Sequence, residues 1–368
     1  MAERESTVED LEMTSSLASF YEGQRAFLTG HTGFKGGWLA TWLKAMGAHV
    51  TGFAFPPHDP PTFFDAVRVA NGIDSVAGDI CDLEALRSAL DRAQPSIVFH
   101  MAAQPLVRHS YHDPVATYAT NVMGTVHLLE AVRHVPSVRG VVVVTSDKCY
   151  ENREWVWGYR ENEPMGGFDP YSSSKGCAEL VTAAYRRSFF SEGNTVVATA
   201  RAGNVIGGGD WSNDRLVPDI VRAVLNNDPV ILRNPSAVRP WQHVLEPLSG
   251  YLLLAEGLCS GSDGLANAWN FGPNTDSDIT VENLARKAIA FWGRGELAVH
   301  SNPNAPHEAG ILRLDSSKAR AQLQWQPRLS VEEAIEWTVE WYRTWAEKPE
   351  TIEAKTHEQI ERFVRAGR

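Results

Sequence analysis

Short apolar runs alternate with amphipathic stretches from Arg25 to about Arg201. Five of these runs are rich in β-branched or aromatic residues and bounded by turn residues, which is typical of buried strands. The predicted strands are Ala26–Leu28, Val50–Phe53, Ile97–His100, Val141–Thr145 and Val196–Ala200. The stretches between them have helical spacing, and the predicted helices are Trp38–Met46, Leu83–Asp91, Val115–Val132 and Tyr171–Arg187. Such alternation predicts an α/β fold built on a doubly wound parallel sheet.

A glycine-rich loop follows the first predicted strand. Gly30, Gly33 and Gly36 have the spacing G-x-x-G-x-x-G between that strand and the next helix. This arrangement permits a tight turn, close approach of the backbone to a pyrophosphate, and an anion-binding helix N-terminus. The loop therefore predicts a Rossmann-type dinucleotide site. The residues expected to contact the cofactor here are Gly30, Thr32, Gly33, Phe34, Lys35 and Gly36.

The residues that would distinguish NAD from NADP are not evident. An acidic residue usually follows the second strand of an NAD site and binds the ribose 2′-hydroxyl. Here Val50–Phe55 is followed by no acid until Asp59, and by no arginine for an NADP phosphate. Asp79, after the third strand, either accepts a hydrogen bond from the adenine amino group or caps the following helix. Further cofactor contacts are predicted for Ile80, Ala102 and Ala103.

The regular alternation of predicted strands and helices ends after Arg201. Glycine, proline and arginine become dense around Gly203–Asp210 and Arg233–Trp241, and the helices predicted over Val281–Trp292 and Val331–Trp345 are separated by irregular segments. We expect an N-terminal extension over residues 1–22, a dinucleotide-binding Rossmann domain over 23–202, and a smaller substrate domain over 203–346. Segments near 240–272 are expected to return to the sheet, and 347–368 to form a charged tail.

Tyr171 and Lys175 lie four residues apart, directly after Pro170. If Pro170 begins a helix, both side chains share one face. A lysine cation beside a phenol favours the phenolate and lowers a pKa of about 10, so Tyr171 is expected to take a proton from an alcohol. The Ser146 hydroxyl, at the end of a predicted strand, can hold the same oxygen. These three residues predict redox chemistry at an alcohol carbon.

The glycine loop, Asn121, Ser146 and the Tyr171–Lys175 pair resemble an extended short-chain dehydrogenase/reductase. Three further segments narrow the resemblance to nucleotide-sugar dehydratases, and within them to the CDP-glucose 4,6-dehydratase family. They read HTGFKGGWL, TSDKCYENREWVWGYRENEPMGG and RAGNVIGGGDW followed by RPWQHVLEP. The resemblance runs from about Gly23 to Trp345. It implies bound NAD, with Asn121 near it, a CDP-glucose substrate, and a homodimer or homotetramer.

The resemblance also implies a three-step reaction. The C4 hydroxyl is oxidised, water is eliminated across C5 and C6, and the hydride returns to C6. Elimination requires an acid and a base, for which Asp147 and Lys148 are the natural candidates. Related dehydratases that act on dTDP-sugars have a glutamate where Lys148 stands. Lys148 is therefore either the C5 base or a cation that stabilises the enolate.

The diphosphate of such a substrate requires cations or N–H donors, which arginine supplies well. Arg215, Arg233 and Arg239 are candidates, each with a surface salt bridge as the alternative. Arg239 and Asn204 match diphosphate-contacting residues of related enzymes. Gln104 is predicted to reach the hexose, and His307 to lie in the nucleotide pocket. Trp155 and Trp157 either cover the sugar or pack their own loop.

Composition excludes several other classes. The net charge of −11 disfavours nucleic-acid binding. The sequence contains no uninterrupted apolar run of about 18 residues, so no membrane span is predicted. The acidic N-terminus does not resemble a secretory signal. Four scattered cysteines argue against a metal site or a disulfide framework and favour the cytoplasm. The alternatives that remain are a nucleotide-sugar epimerase, a dehydratase for another nucleotide sugar, and a non-catalytic NAD-binding regulator.

Overall fold

The computed structural model describes residues 17–57, 60–232, 234–274, 278–299 and 311–366. Seven parallel strands form one sheet in the order β11-β6-β5-β4-β1-β2-β3. Their bounds are β1 (Arg25–Thr29), β2 (His49–Ala54), β3 (Asp74–Ala77), β4 (Ile97–His100), β5 (Gly140–Val144), β6 (Val196–Ala202) and β11 (Ala268–Phe271). This confirms the predicted Rossmann-type sheet. The strand order reverses between β1 and β4, where such sheets leave a crevice at their carboxyl ends.

Helices cover both faces of the sheet. They are α1 (17–21), α2 (Phe34–Ala45), α3 (Phe63–Ala66), α4 (Leu83–Ala93), α5 (Val107–His112), α6 (Pro114–Tyr118), α7 (Gly124–Val132), α8 (Pro170–Ser188), α9 (Leu216–Asn226), α10 (Leu245–Cys259), α11 (Val281–Trp292), α12 (Ser317–Leu323), α13 (Val331–Glu347) and α14 (Ile352–Ala366). The predicted helix over Val115–Val132 is interrupted by a π-helical turn, Ala119–Met123. Helix α2 begins at Phe34, four residues before its predicted start. Gly36, which the sequence places in the glycine loop, and Gly37 are buried residues of this helix.

Alternating side chains of the buried strands enter two separate cores. In β1, Ala26 and Leu28 join a core that includes Trp38 of α2, whereas Phe27 joins a core with Leu90 of α4 and Leu128 of α7. Strands that are buried on both faces read as continuous apolar runs, which is why they could be found in the sequence. The two helical layers thereby hold the carboxyl edge of the sheet in one orientation.

The C-terminal half adds three strand pairs beside the main sheet. The pairs are β7 (Val205–Ile206) with β10 (Gln242–His243), β8 (Val230–Leu232) with β13 (Leu297–Val299), and β9 (Val238–Pro240) with β12 (Asp278–Thr280). Helix α13 begins with a capping box between Ser330 and Glu333. Helix α14 packs Phe363 against Trp42.

The division of the chain into domains stays a prediction. Within the described ranges, no helix is long and apolar enough to cross a bilayer.

Candidate active site

A cleft of about 1220 Å³ opens at the carboxyl edge of the sheet. One wall is formed by the loops that follow β1, β4, β5 and β6. The other wall comes from the C-terminal half, through the start of α9 and the strands β8 and β9. The cleft therefore lies where the two halves of the chain meet, and it is large enough for a dinucleotide and a second ligand.

The glycine loop lines the cleft and fits a pyrophosphate. Gly30 has φ +79°, and a Cβ there would lie 2.7 Å from the Ala102 backbone nitrogen. A Cβ on Gly36 would lie 2.1 Å from the Gly30 carbonyl oxygen. Among the described residues, no side chain caps the start of α2 at Gly33, and its first turn holds no acid. The loop thus leaves the N–H groups at the start of α2 available to bind an anion.

Most of the other residues predicted to contact the cofactor also line the cleft. These are Thr32, Phe34, Lys35, Ile80, Ala102 and Ala103. Asp79 does not, although its neighbours Gly78 and Ile80 do. Its carboxylate accepts a hydrogen bond from the Cys81 N–H at 2.9 Å. The suggestion that it caps the next helix is wrong, because Asp82 is the N-cap of α4.

Asn121 and Gln104 lie behind the cleft wall rather than in it. The Asn121 side chain accepts from the Gln104 N–H at 2.8 Å and donates to the Gln104 carbonyl and to Ser174. The Gln104 amide is itself occupied, since it donates to Thr117 and accepts from the Leu106 N–H. Neither residue is among those that line the cleft, and the contacts of Asn121 with the cofactor and of Gln104 with the hexose stay predictions. Both residues tie the loop after β4 to the neighbouring helices.

The end of β5 brings three predicted catalytic residues into the cleft. The strand ends at Val144, and a 3-10 turn over Asp147–Cys149 follows. This departure from strand geometry lets Ser146, Asp147 and Lys148 all face the cleft. The Ser146 hydroxyl donates to Asp147 Oδ1 at 2.9 Å and accepts from the Lys148 N–H. Burial raises the pKa of Asp147 despite the nearby Lys148 cation, so its carboxyl is suited to holding a proton.

Tyr171 and Lys175 share the inner face of α8. Asp169 caps this helix by accepting from the Ser172 N–H at 2.9 Å, and Pro170 occupies its first turn. Burial raises the pKa of Tyr171 to about 12, although an interaction with the Ser146 side chain and the charge of Arg215 oppose the rise. Burial lowers the pKa of Lys175 to about 8. Burial thus outweighs the groups that lower the pKa of Tyr171, and the effect of Lys175 on this pKa stays a prediction.

The predicted substrate-binding residues are partly brought together. Arg215, Arg239 and Asn204 line the cleft. Arg215 also forms an ion pair with Asp210, at 2.9 Å. It therefore takes part in a salt bridge and lines the cleft at the same time. Arg239 is nine-tenths buried on β9. Arg233, His307 and Asp59 lie outside the described residues.

Trp155 and Trp157 pack their own loop and are not in the cleft lining. Trp155 stacks on Tyr159 with ring centroids 5.7 Å apart, and Tyr159 stacks in turn on Tyr150. The ring of Trp157 packs at a tilt against that of Trp155, and the side chain is largely exposed. Of the two predicted roles for the tryptophans, packing of the loop is the one this geometry favours.

Sequence reasoning missed a buried ion pair behind the catalytic turn. Glu179 on α8 is paired with Arg201 on β6 at 2.8 Å. A signal was available for Glu179, since it follows Lys175 by four residues and must lie on the same helical face. No local pattern identified Arg201, because its partner is 22 residues away along the chain.

The sheet order, the glycine loop and the Tyr171–Lys175 pair define an extended short-chain dehydrogenase/reductase. The sequence profile of GDP-mannose 4,6 dehydratase matches residues 27–338, so the chain belongs to this family. A curated CDP-glucose 4,6-dehydratase of Salmonella typhimurium is 54% identical over 332 residues, covering 89% of this chain and 92% of the relative.

Solved structures of related enzymes have the same fold. A dTDP-glucose 4,6-dehydratase of Streptomyces venezuelae, solved with NAD bound, has a TM-score of 0.75 at 23% identity, over 87% of this chain and 97% of its own. A UDP-glucose 4-epimerase of Thermotoga maritima, solved with UDP-glucose, has a TM-score of 0.76 at 23% identity, over 88% and 99%.

Proposed function

We propose that the chain is an NAD-dependent hydro-lyase that converts CDP-glucose to CDP-4-keto-6-deoxyglucose. The observation that carries this proposal is the clustering of Ser146, Asp147, Lys148, Tyr171 and Lys175 in one cleft, directly beside the glycine loop. With a bound dinucleotide, Ser146, Tyr171 and Lys175 suffice for oxidation at C4. Asp147 and Lys148 on the 3-10 turn are the candidate acid and base that elimination needs. The choice of CDP-glucose rests on the 54% identical relative.

Each residue has a distinct task in the mechanism. Tyr171 takes the proton of the C4 hydroxyl, and Ser146 holds the same oxygen. Lys175 carries the positive charge that stabilises the phenolate. Asp147 protonates the departing C6 hydroxyl, while Lys148 either removes the C5 proton and returns it when hydride adds to C6, or stabilises the enolate. The loop Gly30–Gly36 would hold NAD, which when bound accepts the C4 hydride and returns it to C6. Arg215, Arg239 and Asn204 would hold the diphosphate.

A four-substrate assay tests the proposed function. CDP-, dTDP-, UDP- and GDP-glucose are incubated with the protein and NAD, and the products are developed in alkali, where a keto-sugar absorbs. We expect a chromophore with CDP-glucose and little with the other three. A C4 epimer without chromophore would indicate an epimerase instead. Absence of any turnover together with tight NAD binding would favour a non-catalytic regulator.

Replacing Lys148 with methionine separates its two possible tasks. If Lys148 is the C5 base, exchange of the C5 proton with solvent deuterium falls about 100-fold or more in Lys148→Met, while oxidation at C4 continues. Mass spectrometry of recovered sugar measures the exchange. Lys287→Met, which alters a lysine paired with Glu332 outside the cleft, serves as the control. Near-normal exchange in Lys148→Met would assign Lys148 to enolate stabilisation alone.

The oligomer is proposed to form through an apolar face on α6, the π-helical turn and α8. The outer positions of α8 include Ser173, Cys177, Leu180 and Ala184, none of which is charged. Tyr118 of α6 lies against this helix, donating to Ser173 at 3.1 Å. Val115, Met123 and Leu180 are 78%, 47% and 60% exposed. In a chain with net charge −11, an uncharged apolar face is where a second copy can approach, and a two-fold axis pairs it with itself.

Leu180→Glu is expected to convert the oligomer to a monomer, because pairing about a two-fold axis would bury two like charges against apolar side chains. Light scattering after gel filtration measures the mass. Val156→Glu, which alters an apolar side chain 74% exposed on the loop after Tyr150, is the matched control and should leave the mass unchanged. A wild-type monomer, or a Leu180→Glu variant of wild-type mass, would overturn the assignment of this face.

A further inference from the structure

The buried ion pair of Glu179 and Arg201 lies directly behind the catalytic turn. The side chains are only 5% and 3% exposed. Arg201 approaches the carboxylate as a fork, with Nε donating to Oε1 and Nη2 donating to Oε2, both at 2.8 Å. This planar, two-point contact fixes the orientation of both side chains as well as their distance.

Two threonines complete the hydrogen bonding of the carboxylate. The Thr145 hydroxyl donates to Oε1 at 2.5 Å, and the Thr199 hydroxyl donates to Oε2 at 2.7 Å. Thr145 is the residue immediately before Ser146. Glu179 therefore holds the N-terminal end of the segment that carries the catalytic side chains.

Arg201 holds the other end of the same segment. Its Nη1 donates to the Tyr150 hydroxyl at 2.6 Å and to the Glu161 carbonyl. The guanidinium also lies 4.9 Å from the centroid of the Tyr150 ring. The Tyr150 hydroxyl donates onward to Asn270 at 2.8 Å, on the last strand of the sheet. Ser146, Asp147 and Lys148 are thus bracketed by two residues that are bonded to one ion pair.

Stability of the fold does not account for this arrangement. Removing two charges from water is costly, and a buried ion pair is often no more stabilising than apolar side chains of the same volume. We propose that the Glu179–Arg201 pair is a positioning device for the catalytic segment, holding Thr145 and Tyr150 so that Ser146, Asp147 and Lys148 face the substrate. This inference rests on the proposed function and assigns no contact with substrate to either residue.

The pair also acts on the charge of Lys175. Burial lowers the pKa of Lys175 to about 8, and the negative charge of Glu179 opposes this fall. Lys35 of α2 and His100 of β4 also interact electrostatically with Lys175. Because Lys175 must be cationic to stabilise the phenolate, activity is lost as pH rises through its pKa. Neutralising Glu179 lowers that pKa further, so the alkaline limb of the rate profile moves to lower pH.

Glu179→Gln and Arg201→Lys test the two parts of the inference. In Glu179→Gln we expect kcat to fall about 100-fold, with KM changed little, because the segment loses its register. Its alkaline limb should also move to lower pH. Arg201→Lys keeps the charge but loses the fork and the bond to Tyr150, so kcat falls while the alkaline limb stays in place. Thr199→Val, which removes one neutral hydrogen bond, should have a smaller effect than either.

A second buried carboxylate provides the control. Glu246 on α10 is 1% exposed, accepts from the Arg328 and Leu329 N–H groups, and is not among the cleft-lining residues. Glu246→Gln is expected to lower the melting temperature while leaving kcat and the pH profile of the folded fraction unchanged. If Glu179→Gln behaves in the same way, its role is only structural and the inference is overturned.

Amide hydrogen exchange over residues 145–150 supplies a readout that does not depend on turnover. Faster exchange in Glu179→Gln and Arg201→Lys, but not in Glu246→Gln, is the expected result. Unchanged exchange would contradict a positioning role, even if activity fell. A wild-type protein without turnover of CDP-glucose would instead reject the proposed function, while the exchange experiment would still decide whether the pair orders the segment.

Discussion

Tyr171→Phe is expected to reduce kcat on CDP-glucose about 1000-fold, within the range that a positioned general acid–base group contributes. The substitution removes only the phenol oxygen. The ring is 8% exposed, so phenylalanine can occupy the same space, and KM should change little. Without the phenol, neither Ser146 nor Lys175 can take the C4 proton, so oxidation at C4 and every later step slow together. Steady-state kinetics with CDP-glucose, alongside calorimetry of CDP binding, separate this loss from loss of binding.

The control for this variant lies on the same helix. Tyr185 of α8 is directed away from the cleft and its hydroxyl bonds to Glu130, so Tyr185→Phe should keep wild-type kinetics. In the wild-type protein, the rate should fall as pH rises through about 8, the pKa of Lys175. A Tyr171→Phe variant that retained a tenth of wild-type kcat would show that another group takes the C4 proton.

The parallel sheet could be predicted from the sequence because its strands are buried on both faces. Val141–Val144 reads as an uninterrupted β-branched run, and such a run has few alternatives once helices flank it. The convergence of Ser146 with Tyr171 and Lys175 also followed from local rules. One rule places a strand end at the ligand-binding edge, and the other places residues four apart on one helical face.

Properties that depend on tertiary burial could not be predicted in this way. Helical spacing places Lys175 beside Tyr171, but spacing does not show the burial that raises the pKa of Tyr171. The sequence does not show that the Asn121 side chain bonds to the Gln104 backbone, or that the Gln104 side chain bonds to Thr117 and to the Leu106 N–H. Asp79 and Asp82 are equally suitable helix caps in the sequence, and only the observed N-terminus of α4 selects Asp82.

Asp147→Asn is expected to stop the reaction after oxidation at C4, with formation of the deoxysugar reduced about 1000-fold. Asparagine has nearly the same shape as aspartate and can still accept the hydrogen bond from Ser146, but it cannot donate an acidic proton to the departing C6 hydroxyl. Burial favours the protonated form of the native side chain. The substitution therefore removes the proton while preserving the packing. Near-ultraviolet absorbance of reduced nicotinamide should accumulate after CDP-glucose is added.

Gly203→Ala separates the position of this carboxyl from its chemistry. A Cβ at Gly203 would lie 2.9 Å from Asp147 Oδ2, so the alanine methyl group must displace a carboxyl that remains chemically intact. We expect slower elimination than in the wild-type protein and faster elimination than in Asp147→Asn, with oxidation at C4 preserved in both variants as the internal control. If Asp147→Asn released deoxysugar at a tenth of the wild-type rate or more, the acid would have to be sought elsewhere in the cleft. If both variants lost C4 oxidation as well, Asp147 would act on the first step through its hydrogen bond with Ser146.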